Sequence, residues 1–305
     1  MLTTPPPRLD AVAAFPELAP LARTTVRLHP RRAADGPVDA SKMGGTFLWP
    51  RGEPWPAGDE KRVARIVQEL LANDPLPGDR PIPPGTAIPY APILQLRADD
   101  FPEMPFPPGA DLFQLLWFPF MSLPESGPSP PSILRHRAYW RRAADVREPR
   151  ARNPAMVERR LAEAPHPCRL HPERVVEYPH SQDLDPKLER RIDRWKAAAR
   201  VDNDGDSPID LYDWELSACP STKVGGYPFY VQDKRPPFVC ACGRTMDHLL
   251  TVALHEWDGG TEERWCPVEE RGREVEPAFE HGDLYFYLSV CTHCPGFPTR
   301  ARTER

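Results

Sequence analysis

Four cysteines stand in two tight pairs, Cys240-Ala-Cys242-Gly243 and Cys291-Thr-His-Cys294-Pro295. Thiols two and three residues apart, twice over, supply four soft ligands, the number a tetrahedral zinc ion takes. Each pair must sit on a tight turn, and Gly243 and Pro295-Gly296 provide such turns. Cys291-x-x-Cys294 has the usual knuckle spacing, and Cys240-x-Cys242 is one residue shorter. The interval from Cys242 to Cys291 far exceeds the roughly 15–20 residues of a compact zinc ribbon. The pattern therefore predicts a structural zinc clamp between distant strands rather than a finger. A filled four-sulfur set leaves no position for a reacting water. Two alternatives are free buried thiols, which behave as small hydrophobes, and a redox pair at Cys291/Cys294, which lacks the βαβ context such a motif wants. His248, His255, His281 and His293 are nearby substitutes for one ligand.

Other candidate chemistry is weaker. His166-Pro-Cys168-Arg-Leu-His171 has the ligand types of a second metal cluster, and Cys219 and Cys266 read as packing residues. Asp202-Asn-Asp204-Gly-Asp206 invites a calcium reading, but positions 6 and 12 of the loop are Ser207 and Asp213 where Gly and Glu are needed. No Gly-x-Ser-x-Gly, phosphate-binding glycine loop or His-Glu-x-x-His occurs, so the chain reads as non-enzymatic. Trp49, Trp55, Tyr227 and Phe229, all near proline, are candidates for a partner-binding groove or for the ends of a β core. The Arg-rich segment 133–175 could meet an acidic protein or RNA, though only Tyr139 and Trp140 are interleaved for base stacking.

The scaffold must be β-rich. Proline numbers 42 of 305 residues, about three times its average share, and proline breaks helices. The net charge of −5 disfavours non-specific nucleic-acid binding. The N-terminus lacks the features of a signal peptide and no apolar run is long enough to span a membrane, which with the odd cysteine count leads to the expectation of a reducing, cytoplasmic location.

Short strands are expected near Thr24–Leu28, at Ile93–Leu96, Leu112–Phe118, Arg137–Arg141, Tyr227–Gln232, Leu249–Leu254 and Leu284–Val290. Apolar residues at helical spacing predict helices over about 59–73 and 185–200, the second capped by Asp185 with Leu188, Ile192, Trp195 and Ala199 as its buried stripe. Three marks recur in order. Lys42-Met-Gly44-Gly45 answers to Lys223-Val-Gly225-Gly226, Ile93-Leu-Gln-Leu96 to Leu249-Leu-Thr-Val252, and Gly109-Ala-Asp111-Leu-Phe113 to Gly282-Asp-Leu-Tyr285. They predict an internal duplication.

These marks, with Trp49-Pro50, Trp55-Pro56 and the cysteine pairs, resemble the YwqG-like family of bacterial proteins of unknown function, in its actinobacterial-type branch. The resemblance implies a single α+β domain, mostly antiparallel, over about 41–295, with halves at about 41–180 and 221–295. An irregular segment 1–40 and a tail 296–305 would flank it. It also implies distant kinship to the programmed cell death protein 2 family, and hence a ribosomal-type client as partner, while other relatives read as immunity partners of bacterial toxins imply a toxin. The expectation is a non-enzymatic protein-binding or chaperone-like module with structural zinc. An RNA- or ribosome-associated factor and an undetected hydrolase or modifying enzyme are the alternatives.

Overall fold

The computed structural model describes residues 2–58, 87–119, 136–154, 162–198, 211–230, 236–258, 260–280 and 285–304. The first half of the chain supplies β1 (Arg23–Arg27), β2 (Arg31–Arg32), β3 (Lys42–Met43), β4 (Ala57–Gly58), β5 (Ile88–Pro89), β6 (Ala91–Arg97), β7 (Leu112–Trp117) and β8 (His136–Arg141). The second supplies β9 (Cys168–Arg169), β10 (Glu173–Glu177), β11 (Lys223–Gly225), β12 (Asp247–Ala253), β13 (Tyr285–Val290) and β14 (Thr299–Glu304). They form two antiparallel six-stranded sheets, ordered β10-β1-β11-β12-β13-β14 and β2-β9-β3-β6-β7-β8, with β4-β5 as a separate pair. Both sheets bury one face in a common core, where Leu94, Leu96 and Leu115 share a cluster with Leu250, Val252 and Leu288. Trp117, fully buried, bridges the sheets by packing 5.2 Å from Phe286 and 5.8 Å from Phe279.

The sheets repeat one another strand for strand. Met43 pairs with Leu94, Leu94 with Leu115, and Leu115 with Ala138. In the other sheet Val224 pairs with Leu250, Leu250 with Leu288, and Leu288 with Ala301. Even the irregularity is shared, with register breaks at Pro92/Leu94 and His248/Leu250. This register aligns Phe113 with Phe286, so the third sequence mark, which matches Phe113 to Tyr285, is one residue out of step.

The halves also exchange their leading strands. β1 joins the sheet of the second half, whereas β9 joins that of the first. The pairing Arg27↔Glu173, carried past the break, arrives at Arg31↔Arg169, so β1-β2 and β9-β10 are one long ribbon crossing both sheets. It bends at His29, a non-glycine residue at φ +41°, beside the hydrogen bond from His171 N–H to Leu28 O. Segment 1–40 is thus not irregular, and the tail carries strand β14.

The Lys-x-Gly-Gly motif explains its own repetition. Lys42 Nζ donates to Asp35 Oδ1 at 3.0 Å, and Asp35 Oδ2 accepts from Thr46 N–H. Lys223 Nζ donates to Glu177 Oε1 at 2.7 Å, and Glu177 Oε2 accepts from Tyr227 N–H. Each second glycine lies in left-handed backbone against its carboxylate. A Cβ on Gly45 would meet Asp35 at 2.3 Å, and one on Gly226 would meet Glu177 at 2.2 Å. The same bond replaces the start of the strand expected at Tyr227–Gln232: Tyr227 N–H is taken by Glu177, Pro228 has no N–H, and residues 227–230 are irregular, while 231 and 232 lie outside the described residues.

The helix Pro186–Ala198 lies where its periodicity predicts, with Lys187 N–H capped by Asp185 Oδ1 at 2.9 Å. Leu188 and Ile192 are buried against Phe15 and Leu18, and Trp195 meets Phe15 edge-on at 5.5 Å. The helix expected over 59–73 and the Asp202 loop lie outside the described residues. No described helix is long and apolar enough to cross a membrane.

Candidate metal centre

Two turns carry the cysteine pairs. In the first, Met246 N–H returns to Phe238 O, Cys240 N–H to Arg244 O, and Gly243 N–H to Cys240 O at 2.9 Å. Gly243 sits at φ +82° with open space around it, so the turn needs its backbone freedom and not its small size. The second turn joins β13 to β14, closed by Cys291 N–H to Pro298 O at 3.0 Å and Phe297 N–H to Cys294 O. The first turn runs straight into β12, whose Asp247 pairs with Val290, the residue before Cys291. That pairing sets the turns side by side. The long interval between the pairs is the path out along β12 and back along β13.

All four sulfurs lie within 4.8 Å of one another. Cys240 and Cys294 Sγ are 3.7 Å apart, as are Cys242 and Cys291 Sγ. Sulfurs at about 2.3 Å from a tetrahedral zinc are separated by about 3.8 Å, so the spacing suits one ion. It is far beyond the ~2.05 Å of a disulfide. Cys240 and Cys291 are buried, Cys294 is half-buried and Cys242 is exposed. The Arg244 N–H directed at Cys242, followed by bonds with the other thiols, brings its thiol down to about 7. Its bond with Cys242, then that with Cys240, pushes Cys294 up to about 12. The array thus takes one negative charge readily, at Cys242, and resists a second at Cys294, a repulsion that a divalent cation would relieve. Among the described residues this is the sole group of three or more His, Cys, Asp or Glu side chains arranged to hold a metal.

Among the described residues no histidine substitute joins the sulfur cluster. His248 bonds Thr251 Oγ1 on β12, and burial, followed by Lys223 and Arg23, pushes it down to about 3. His293 is exposed between Cys291 and Cys294, and His281 lies outside the described residues. The His166–His171 stretch does not converge. His166 Nε2 pairs with Glu280 at 2.6 Å, and burial pushes Cys168 up to about 12.

Of the aromatic candidates, Trp49 and Phe229 are buried, which removes them from any partner surface. Trp55 and Tyr227 are half-buried, with Trp55 Nε1–H on Tyr90 O and Tyr227 O–H on Leu21 O. Part of the Arg-rich segment is neutralised locally. Arg141 makes two bonds to Glu53, at 2.6 and 2.7 Å, and Arg174 bonds Glu103.

Sequence reasoning passed over a buried polar cluster around Arg27, His29 and Glu173. Arg27 and His29 are fully buried, and His29 Nε2 lies 2.9 Å from Glu173 Oε2. The available signal was an arginine flanked by two apolar residues, Val26-Arg27-Leu28. No protein-family model matches the chain, and no curated protein matches it.

Proposed function

We propose that the four cysteines hold one structural zinc ion in a non-enzymatic protein-binding module. The observation that carries the metal is the convergence of four sulfurs, contributed by two abutting turns, within 4.8 Å of one another. Four thiolates in that geometry select zinc or iron, and the zinc ion, inert to redox, would act as a staple. Cys240, Cys242, Cys291 and Cys294 fill every position of such a site, so the ion would tie the 238–246 turn to the β13-β14 turn and leave no site for a reacting water.

Protein binding is supported by what the staple displays. The first turn is exposed from Ala241 to Thr245, and Val239 beside it is 55% exposed. Phe238 is half-buried under Arg302, whose guanidinium lies 4.3 Å from the ring centre. Apolar side chains rimmed by Arg244, Arg300 and Arg302 suit a partner with an acidic border. The resemblance to YwqG-like proteins and to programmed cell death protein 2 points the same way.

Elemental analysis of the purified chain tests the metal: about one zinc per chain is expected, and none in the Cys291→Ser/Cys294→Ser variant. A metal-free wild-type protein with an unchanged melting temperature after chelation would overturn the staple. For the surface, Val239→Asp should abolish capture of a copurifying protein while zinc content is kept. Undiminished capture would sink that assignment.

A further inference from the structure

The N-terminal segment lies across the buried cluster as an extended peptide, held at almost every polar group. Thr3 N–H donates to Glu269 Oε2 at 2.8 Å, and Thr3 O accepts from Val268 N–H at 2.9 Å. Thr4 N–H donates to Glu173 Oε1 at 2.7 Å, and Pro5 O accepts from Arg264 Nη1 at 2.6 Å. The Thr4 hydroxyl donates to Glu173 Oε2 and accepts from Arg27 Nη1, so both its hydrogen-bonding capacities are used. Thr4 and Pro5 are buried, while Thr3, Pro6 and Pro7 are exposed.

The groups that hold this segment are themselves fixed from below. Arg27 Nε donates to Ser221 Oγ at 3.0 Å and its Nη2 to Trp265 O at 2.9 Å. Arg264 Nε donates to Glu215 O at 3.1 Å, with its guanidinium 4.0 Å from the centre of the Trp265 ring. Glu173 is steadied by His29. Each therefore presents its remaining bonding capacity outward with little freedom to turn away. Without an occupant, two buried guanidiniums and a carboxylate would lose partners, which is costly for charged groups.

The contacts define what fits. Four bonds are to main-chain groups and read only an extended backbone. One residue is read by its side chain, and it must both donate and accept, as a threonine or serine hydroxyl does. The residue that follows, Pro5, is buried and has no N–H, so its place in the groove asks for no acceptor.

We propose that this groove is a recognition site for an extended hydroxyl-residue–proline segment of a partner protein, and that Thr3–Pro5 fills it in cis until such a segment displaces it. The groove shares no residue with the metal centre, so its failure would leave the zinc staple standing. A tethered occupant competes at an effective concentration of order millimolar. The wild-type chain should thus take up an external peptide weakly, and loss of the Thr4 hydroxyl should open the groove.

The test is fluorescence anisotropy with a labelled peptide of the Leu2–Leu9 sequence. The full-length Thr4→Val chain should bind it at least tenfold more tightly than the wild-type chain does. It should also prefer that peptide at least tenfold over one carrying the same Thr→Val change. No binding by the folded variant, or equal binding of both peptides, would overturn the proposal. Should the variant not fold, amide exchange in the wild-type chain replaces it. The Val268 amide is expected to exchange by local opening well ahead of Leu250 and Leu288. Exchange only together with those core amides refutes a displaceable segment. A concentration-dependent wild-type dimer that the peptide dissolves would make a second copy the occupant, against the proposal.

Discussion

The two Lys-x-Gly-Gly loops make the same lysine–carboxylate contact at different depths, which makes each a control for the other. Lys223 and Glu177 are both fully buried, and Glu177 also accepts from the N–H groups of Cys219 and Tyr227. Lys42 is nearly as buried, but the side chain of its partner Asp35 is 35% exposed. Lys223→Met strands a carboxylate in the core with two neutral donors and no cation. Breaking a buried pair in this way costs about 3–5 kcal/mol. Lys42→Met leaves Asp35 in reach of water and still bonded to Thr46, so the cost is that of a half-exposed pair, about 1 kcal/mol or less. For a chain of this size each kcal/mol lowers Tm by about 1.5–2 °C. The expected losses are therefore about 5–10 °C for Lys223→Met and under ~2 °C for Lys42→Met. Adding Glu177→Gln to Lys223→Met should recover part of the loss, because the stranded charge is removed although the amide nitrogen must face one of the two N–H donors. Urea midpoints and differential scanning calorimetry on the four proteins decide it. Equal losses at the two lysines, or no recovery in the double variant, would refute the assignment of this cost to burial.

Gly226→Ala should destabilise far more than Gly243→Ala, as melting curves would show. Both residues have positive φ, worth about 1–2 kcal/mol for alanine, but only at Gly226 does the new Cβ strike a carboxylate and Thr25. Glu173 gives a pH prediction. Burial pushes its pKa up, but hydrogen bonds from His29 and Thr4 outweigh this and hold it at about 2, against 4.5 unperturbed. Because the folded value is the lower, its contribution is complete above about 4.5 and fades as pH falls toward 2. The stability gap between wild type and Glu173→Gln should therefore narrow over that interval in urea titrations, and a constant gap would contradict it.

What could be read in the sequence were the features carried by neighbouring residues. The strands at 93–96, 112–118 and 249–254 announce themselves by local apolar runs, the helix at 186 by its period, and the metal turns by cysteine spacing. What stayed hidden rests on distant partners. Asp35 precedes its lysine by 7 positions and Glu177 precedes its own by 46, so no motif spans both pairs. Strand β9 has two residues and β1 carries a buried arginine, which left the crossing ribbon without a periodic signal. Trp49 and Phe229, beside proline, suit a partner groove or a β core alike by sequence, and the packing of the sheets puts them in the core.

The exchanged leading strands have a consequence for synthesis. Residue 25 finds its sheet neighbours at residues 175 and 225, so β1 leaves the ribosome long before either side of it exists. The sheet of the first half likewise lacks β9 until residues 168–169 emerge. Vectorial folding, first half and then second, is barred by this topology. The nascent chain must keep apolar strands such as β6 and β7 unsealed until the ribbon can close, at the exposure to aggregation that such distant pairings bring. A chain so wired is expected to refold slowly from denaturant and to gain yield from holdase chaperones or lowered temperature.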